Sequence, residues 1–344
     1  MSPDGGAASD VQEPSVLYGR LVSCWTDPMW LAEAHEWIHG QLARLDTRAV
    51  GEIEQRYVQP WSTVMRVSTD LGDVYFKANG TVQRHEVALV SLLAERRPDC
   101  IPAPLACDLE RGWMLMADAG IRLRELIAVE RELTRRLDVL PLYAGVQIDL
   151  AEYAEDLIAL GTPDLRLATL PTRYEQLLDQ LHGLPPHELA HLRGSVPSVA
   201  DMCLELAAYG LPETIQHDDL DDEQVFVHDG RYLLLDWGDA CVSHPFFSMS
   251  VTLEGVIAWG VDDVRRAVEI EPFRDAYLKP FAQDLSEVEL AAACSTALRL
   301  GWLCRAINAH RKHGHHRPID AGQLRSQEAE HTRVRLRMFL DGQP

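Results

Sequence analysis

Apolar residues recur at helical spacing at Trp30, Ala34, Trp37, Ile38 and Leu42, which predicts a helix over about 25–45. Thr26 or Asp27 can cap it, and Pro28 suits a first turn, where no backbone donor is needed. The period then shortens to two. Ile53–Val58, Val64–Ser68 and Val74–Lys77 read as strands separated by Pro60 and by Leu71-Gly72-Asp73, an antiparallel meander. A second helix is predicted from Val82 to Arg97, stopping before Pro98. After a loop marked by Pro102 and Pro104, Gly112–Ala117 reads as a buried strand broken by Asp118-Ala119-Gly120.

Beyond that break helical periodicity dominates, over 129–160, 172–182, 186–209, 263–279 and 286–312. One compact β segment interrupts it, Gln224–Asp236, turning at Asp229-Gly230. The pattern predicts an α+β chain of two lobes. A loose tail at 1–15 precedes a small antiparallel β lobe with its helices over 16–117. A larger, mainly helical lobe follows over 118–344, with the hinge near 117–120.

Composition narrows the picture. The 344 residues are 47% hydrophobic and 25% charged, an ordinary globular balance with length enough for two lobes. The net charge of −21 repels nucleic acid phosphates and anionic membranes, so neither is expected as a partner. No run approaches the ~18 apolar residues of a membrane span, and residues 1–10 lack the basic-then-apolar order of a secretory signal. The seven cysteines are odd in number, scattered and without a C-x-x-C pair, which suits reduced thiols in the cytoplasm. His310, His313, His315 and His316 are spaced as zinc ligands can be, but Arg311 and Lys312 among them favour a polar helix end. The tryptophans read as core material; Trp237 alone is placed to pack behind Asp236.

The chemistry concentrates in 215–239. This stretch crowds Asp218, Asp219, Asp221, Asp222 and Glu223 into six residues and continues through Gln224 and a hairpin to Asp236-Trp237-Gly238-Asp239. Like charges so close need cations. The order His217-x-Asp219, an amide at 224 and an Asp-x-Gly turn at 236 has the protein-kinase layout: a loop Asp takes the substrate hydroxyl proton, and the amide and second Asp hold metal. The hairpin sets 224 and 236 side by side, and one carboxylate and one amide suffice for Mg²⁺ that also binds phosphate and water. Lysine occurs only at 77, 279 and 312. Lys77 ends the third predicted strand, where kinases keep their phosphate-binding lysine, and Glu86 in the next helix can pair with it. The phosphate-covering turn, Tyr57 to Val64, has no glycine; its backbone N–H groups and the hydroxyls of Ser62 or Thr63 are the candidates for phosphate contact.

His217-Asp-Asp219-Leu220…Gln224…Asp236-Trp-Gly-Asp239 resembles the H-G-D-L-H-x-x-N…D-x-[GD]-D pattern of the aminoglycoside phosphotransferase family, and the likeness spans about 50–310. The resemblance implies a bilobal protein-kinase-like fold, ATP or GTP as donor and Mg²⁺ as cofactor. By position it implies Asp219 as base, Gln224 and Asp236 as metal ligands, Lys77 on phosphate with Glu86 orienting it, and Met116, Ala117, Asp118 and Ala119 as the adenine-binding hinge. Asp218 stands where the family has Gly, Asp221 where it has His, and Gln224 where it has Asn. The expected function is phosphoryl transfer to a hydroxyl of a small molecule. The acidity around Asp218, Asp221, Asp222 and Asp239 points to a cationic or amine-bearing acceptor, such as an aminoglycoside or amino sugar. Glu254, Trp259, Asp262 and Asp263 fall where the family completes its acceptor pocket. A nucleotide-binding pseudokinase or regulatory module is the alternative, and residue 224 discriminates the two.

Overall fold

The computed structural model describes residues 24–182, 184–257, 269–283, 285–314 and 324–341. The tail at 1–15, Trp259, Asp262, Asp263, His315 and His316 lie outside these, as do the side chains of Glu254 and His313.

Asp27 caps the first helix, α1 (Pro28–Arg44): its Oδ1 accepts from the N–H groups of Met29 at 2.8 Å and Trp30 at 3.1 Å. The buried stripe of α1, Ala34, Ile38 and Leu42, packs on a five-stranded antiparallel sheet. Its strands are β1 (Ala49–Val58), β2 (Ser62–Thr69), β3 (Gly72–Asn79), β4 (Ala106–Asp108) and β5 (Trp113–Ala117), in the order β1-β2-β3-β5-β4. The alternation of β5 divides the interior. Trp113 and Leu115 join Met65 and Phe76 in the core under α1, with Trp37, Phe76 and Trp113 meeting at centroid distances of 5.5–5.8 Å. Met114 and Met116 belong to a larger core that runs through α2 (Glu86–Arg96) into the helical lobe. The helix expected from Val82 is split: a 3-10 turn spans Thr81–Gln83, and Glu86 becomes the first residue of α2.

The second lobe begins at β6 (Ile121–Arg122) and α3 (Leu123–Glu130), then α4 (Arg136–Leu150), α5 (Ala154–Ala159), α6 (Leu170–Gln180), α7 (Pro186–Gly194) and α8 (Val196–Ala208). The short strands β7 (Thr214–Gln216), β8 (Val225–His228), β9 (Arg231–Leu234) and β10 (Cys241–Ser243) follow, with α9 (Glu271–Leu278), α10 (Glu287–Gly314) and α11 (Leu324–Asp341). β8 and β9 form the predicted hairpin, turning at Asp229 and Gly230, both at positive φ. β7 pairs with β10 and β6 with β8. Gly120, at φ +87°, is where the chain leaves the sheet for the second lobe; a Cβ there would lie 2.3 Å from the Val227 carbonyl oxygen. The central element is α10. Over Glu287–Lys312 it is long and apolar enough to cross a bilayer, yet 56% of its apolar window is buried inside the protein, as a core helix requires.

Candidate active site

β3 and α2 bring one ammonium between two carboxylates from distant parts of the chain. Lys77 Nζ lies 2.8 Å from Glu86 Oε1 and 2.6 Å from Asp236 Oδ1. Glu86 is fully buried, whereas the Asp236 side chain is 57% exposed. Burial works against the Lys77 charge, but the two carboxylates outweigh it and hold the ammonium well above its usual range. Asp236 likewise stays below the ordinary carboxylate range, the Lys77 cation overcoming the cost of desolvation. Asp236 sits in the left-handed region at φ 64° and opens the 3-10 turn Trp237–Asp239.

The loop after β7 faces that turn. His217 is buried and, through that burial, its pKa is lowered. Its Nε2 lies 2.8 Å from the Leu235 carbonyl, an acceptor only, so the neutral ring donates from Nε2. Its backbone N–H donates to the Tyr143 hydroxyl at 3.0 Å, and its ring lies 4.6 Å from that of Trp237. His217 thus ties the loop carrying Asp219 to the strand end carrying Asp236. Trp237 is wholly buried behind the loop. The backbone carbonyl of Gln224 accepts from Leu235 N–H at 2.9 Å, extending the β8–β9 ladder, so Gln224 and Asp236 occupy adjoining strand ends. The Gln224 side-chain oxygen is buried without a hydrogen-bond partner. An amide oxygen in that condition beside a carboxylate fits a hard cation such as Mg²⁺.

Asp219 is gripped from α10. The Arg305 guanidinium donates to Asp219 Oδ1 and to the backbone carbonyl of Asp218. Asp218 is at φ 64°, and its carboxyl accepts from Gln216 Nε2 at 2.9 Å and Asn308 Nδ2 at 2.8 Å. Burial pushes the Asp218 carboxyl up to about 7, against the opposing pull of Arg305 and Asn308. Asp239 accepts from Gln83 Nε2 at 2.6 Å and pairs with Lys312 at 2.7 Å, which holds it ionised despite burial.

Several expected site residues are engaged elsewhere. Thr63 is fully buried; its hydroxyl donates to the Tyr57 carbonyl at 2.7 Å and accepts from Gln55 at 2.9 Å, so it does not face a phosphate site. Ser62 is buried at the same strand end. The register of β2, not the polarity of the hydroxyls, decided this. Asp222 forms a buried ion pair with Arg136, both side chains less than 10% exposed. Asp221 accepts from the Glu223 N–H at 2.7 Å and faces Arg124 at 3.5 Å. Each carboxylate of the acidic run therefore has an internal cation or amide partner, with Arg124 shared among Asp221, Asp222 and Glu223. Met116 and Ala119 are buried at the end of β5, and Ala117 and Asp118 are exposed there. His310 Nε2 lies 3.1 Å from the Gln180 amide oxygen, in keeping with a polar helix end.

Motif reasoning missed Arg305, Asn308 and Lys312. They form one stripe of α10, spaced three and four residues apart, a signal present in the sequence. Lys312 also lies 4.1 Å over the ring of Trp61, in the turn before β2, and Arg311 donates to the Val82 carbonyl at 2.9 Å. The end of α10 therefore joins the two lobes beside Asp239. Behind Asn308 a cavity of about 380 Å³ opens between α6 and α10, lined by Arg173, Gln176, Gln180 and Arg311.

The family model described as the phosphotransferase enzyme family matches residues 74–290. Among solved structures, a choline/ethanolamine kinase family protein from Mesorhizobium loti is 16% identical, with a TM-score of 0.58 over 90% of this chain and 95% of that one. A macrolide 2′-phosphotransferase from Brachybacterium faecium is 16% identical, with a TM-score of 0.54 over 86% and 98%. An amicoumacin kinase bound to AMP-PNP and Ca²⁺ is 12% identical, with a TM-score of 0.54 over 94% and 96%. These likenesses carry the fold, which is the bilobal kinase-like one. No curated protein matches the chain.

Proposed function

The chain belongs to the phosphotransferase enzyme family, and we propose that this small-molecule phosphotransferase moves the γ-phosphoryl group of ATP, or GTP, to an acceptor hydroxyl at Asp219. The observation that carries this reading is Lys77 held between Glu86 and Asp236, because it brings a phosphate-binding cation from the sheet to the metal-binding turn of the other lobe. The lobes divide at 117–120. Its partners are a nucleotide and a small acceptor, in the cytoplasm, rather than nucleic acid or a membrane.

Such a reaction asks the protein mainly to position groups and to match developing charge. Glu86, buried and paired, keeps Lys77 aimed into the cleft, where the ammonium binds triphosphate oxygens. Gln224 and Asp236 would hold Mg²⁺, whose charge offsets that gathering on the phosphates. His217 fixes the distance between the two loops through Leu235. Asp219 orients the acceptor hydroxyl and receives its proton as the new P–O bond forms.

Asp219→Asn is expected to abolish ADP formation while leaving ATP affinity nearly unchanged, since the amide keeps the shape but cannot take the proton. Turnover near the parent level would remove Asp219 from the role of base. The Arg305–Asp219 pair favours one second reading, a nucleotide-binding pseudokinase. ATP stabilisation indifferent to both Mg²⁺ and Asp236→Ala would support it.

A further inference from the structure

We propose that Tyr57 is a nucleotide-binding residue, its hydroxyl donating to a triphosphate oxygen across from Lys77. The inference deepens the phosphotransferase reading and rests on it. The turn from Tyr57 to Val64 has little else to offer a phosphate. It holds no glycine, and Pro60 has no backbone donor. The Gln59 N–H is spent on the Ser62 carbonyl at 2.9 Å, and Val58 pairs with Thr63 in the β1–β2 ladder. The Thr63 hydroxyl donates to the Tyr57 carbonyl at 2.7 Å, and Ser62 is buried. Tyr57 carries the third hydroxyl of the turn, and its side chain is 42% exposed.

A bulge in β1 aims that side chain. Up to Gln55 the register runs Ile53–Val67, Glu54–Arg66, Gln55–Met65. Continued unbroken, it would set Tyr57 opposite Thr63, on the face that Met65 and Val67 bury under α1. The bulge at Arg56 shifts the pairing by one residue, so Tyr57 lies opposite Val64 and Val58 opposite Thr63. Packing agrees with this register. Val58 joins the core under α1, so Tyr57, its neighbour in an alternating strand, faces the other way. Val64 in turn lies opposite Lys77. Tyr57, Val64 and Lys77 therefore form one row, on the face where Lys77 meets Asp236 of the second lobe. Strands lie about 4.8 Å apart, which sets the backbones of Tyr57 and Lys77 about 10 Å apart across β2. A triphosphate laid along that row meets both groups.

The tip of the turn closes the same space from the far side. Trp61 lies 4.1 Å over the Lys312 ammonium, Lys312 pairs with Asp239 at 2.7 Å, and Asp239 ends the 3-10 turn that Asp236 opens. Tyr57 thus stands between Lys77 and the point where the turn reaches the second lobe. What burial it has, together with the Asp236 carboxylate, raises its pKa above the usual range. The hydroxyl therefore keeps its proton at neutral pH and can donate it to an anionic oxygen.

The test is calorimetric titration of the full chain with Mg²⁺ and the non-hydrolysable analogues of ATP and GTP, with adenosine and guanosine as competitors. Tyr57→Phe removes only the hydroxyl. It is expected to weaken the preferred analogue about tenfold, as the loss of a hydrogen bond to a charged group does, and to leave the matching nucleoside unchanged. Tyr57→Leu is expected to weaken the analogue at least as much. Unchanged analogue binding in Tyr57→Phe overturns the proposal even where Tyr57→Leu weakens it, because the ring alone then accounts for the residue. Equal weakening of analogue and nucleoside also overturns it, because the contact would then lie away from the phosphates. Lys77→Ala is titrated in parallel. If it loses an analogue that the parent and Tyr57→Phe bind equally, only the Tyr57 assignment falls. If the parent binds neither analogue, the phosphotransferase reading falls and the assignment falls with it.

Discussion

At Asp218 a backbone at φ 64° and a carboxyl only 4% exposed meet in one residue. Its folded pKa of about 7 lies above the unfolded value of 3.8. The stability linked to this group is therefore fully present below pH 4 and is lost as pH rises through 7, by at most about 4 kcal/mol. Asp218→Asn keeps the side-chain shape and tolerates the left-handed backbone. It should flatten the part of the stability–pH curve between pH 4 and 7, as urea unfolding at several pH values will read. An identical slope in the variant would place the titration elsewhere. Gln224 invites the opposite experiment. Replacing Gln224, whose amide oxygen is buried without a partner, by Leu should leave stability unchanged or slightly raised. The same change should raise the Mg²⁺ concentration needed for half-maximal turnover at least tenfold. A parallel loss of stability and turnover would make Gln224 structural only.

Elements position these residues through a few close contacts. Gly301 brings α10 against the 3-10 turn Pro245–Ser248: a Cβ there would lie 2.4 Å from the Phe247 carbonyl and 2.8 Å from Ser250 Oγ. Gly301→Ala should cost about 2–3 kcal/mol by overpacking. Because Arg305, Asn308 and Lys312 lie one to three turns further along the same helix, it should also lower turnover more than stability alone explains. A cap lost at the other end of the chain is the control. Asp27→Ala removes two backbone contacts from α1 and should cost about 1 kcal/mol in denaturant melts with kcat unaltered. Equal effects of both variants on kcat would deny α10 its positioning role.

Across the whole molecule, the lobes are joined by Lys77–Asp236 and by Trp61–Lys312–Asp239. A nucleotide bound at the proposed site would contact both lobes and should stabilise their joint fold. MgATP at 100 times its dissociation constant should add about 2.7 kcal/mol. Lys77→Ala should remove most of that gain, and Asp236→Ala its dependence on Mg²⁺, both measurable by thermal shift.

The sequence by itself determined what depends on near neighbours: the meander with Lys77 at its third strand, the hairpin from Gln224 to Asp236, the capped first helix. Periods of two and 3.6, turn residues and caps act over a few positions, so they are visible in the order of residues. Strands of two or three residues, such as β6 and β7, are too short to show a period, and only their partners made them strands. Tertiary structure alone decided the charge of the site. Arg136 reaches Asp222 and Arg305 reaches Asp219 across 86 residues each, and Lys312 reaches Asp239 across 73. A run of carboxylates therefore reads as an unpaired anionic patch in one dimension and as a set of ion pairs with distant residues in three, because Coulomb energy follows distance in space and not separation along the chain.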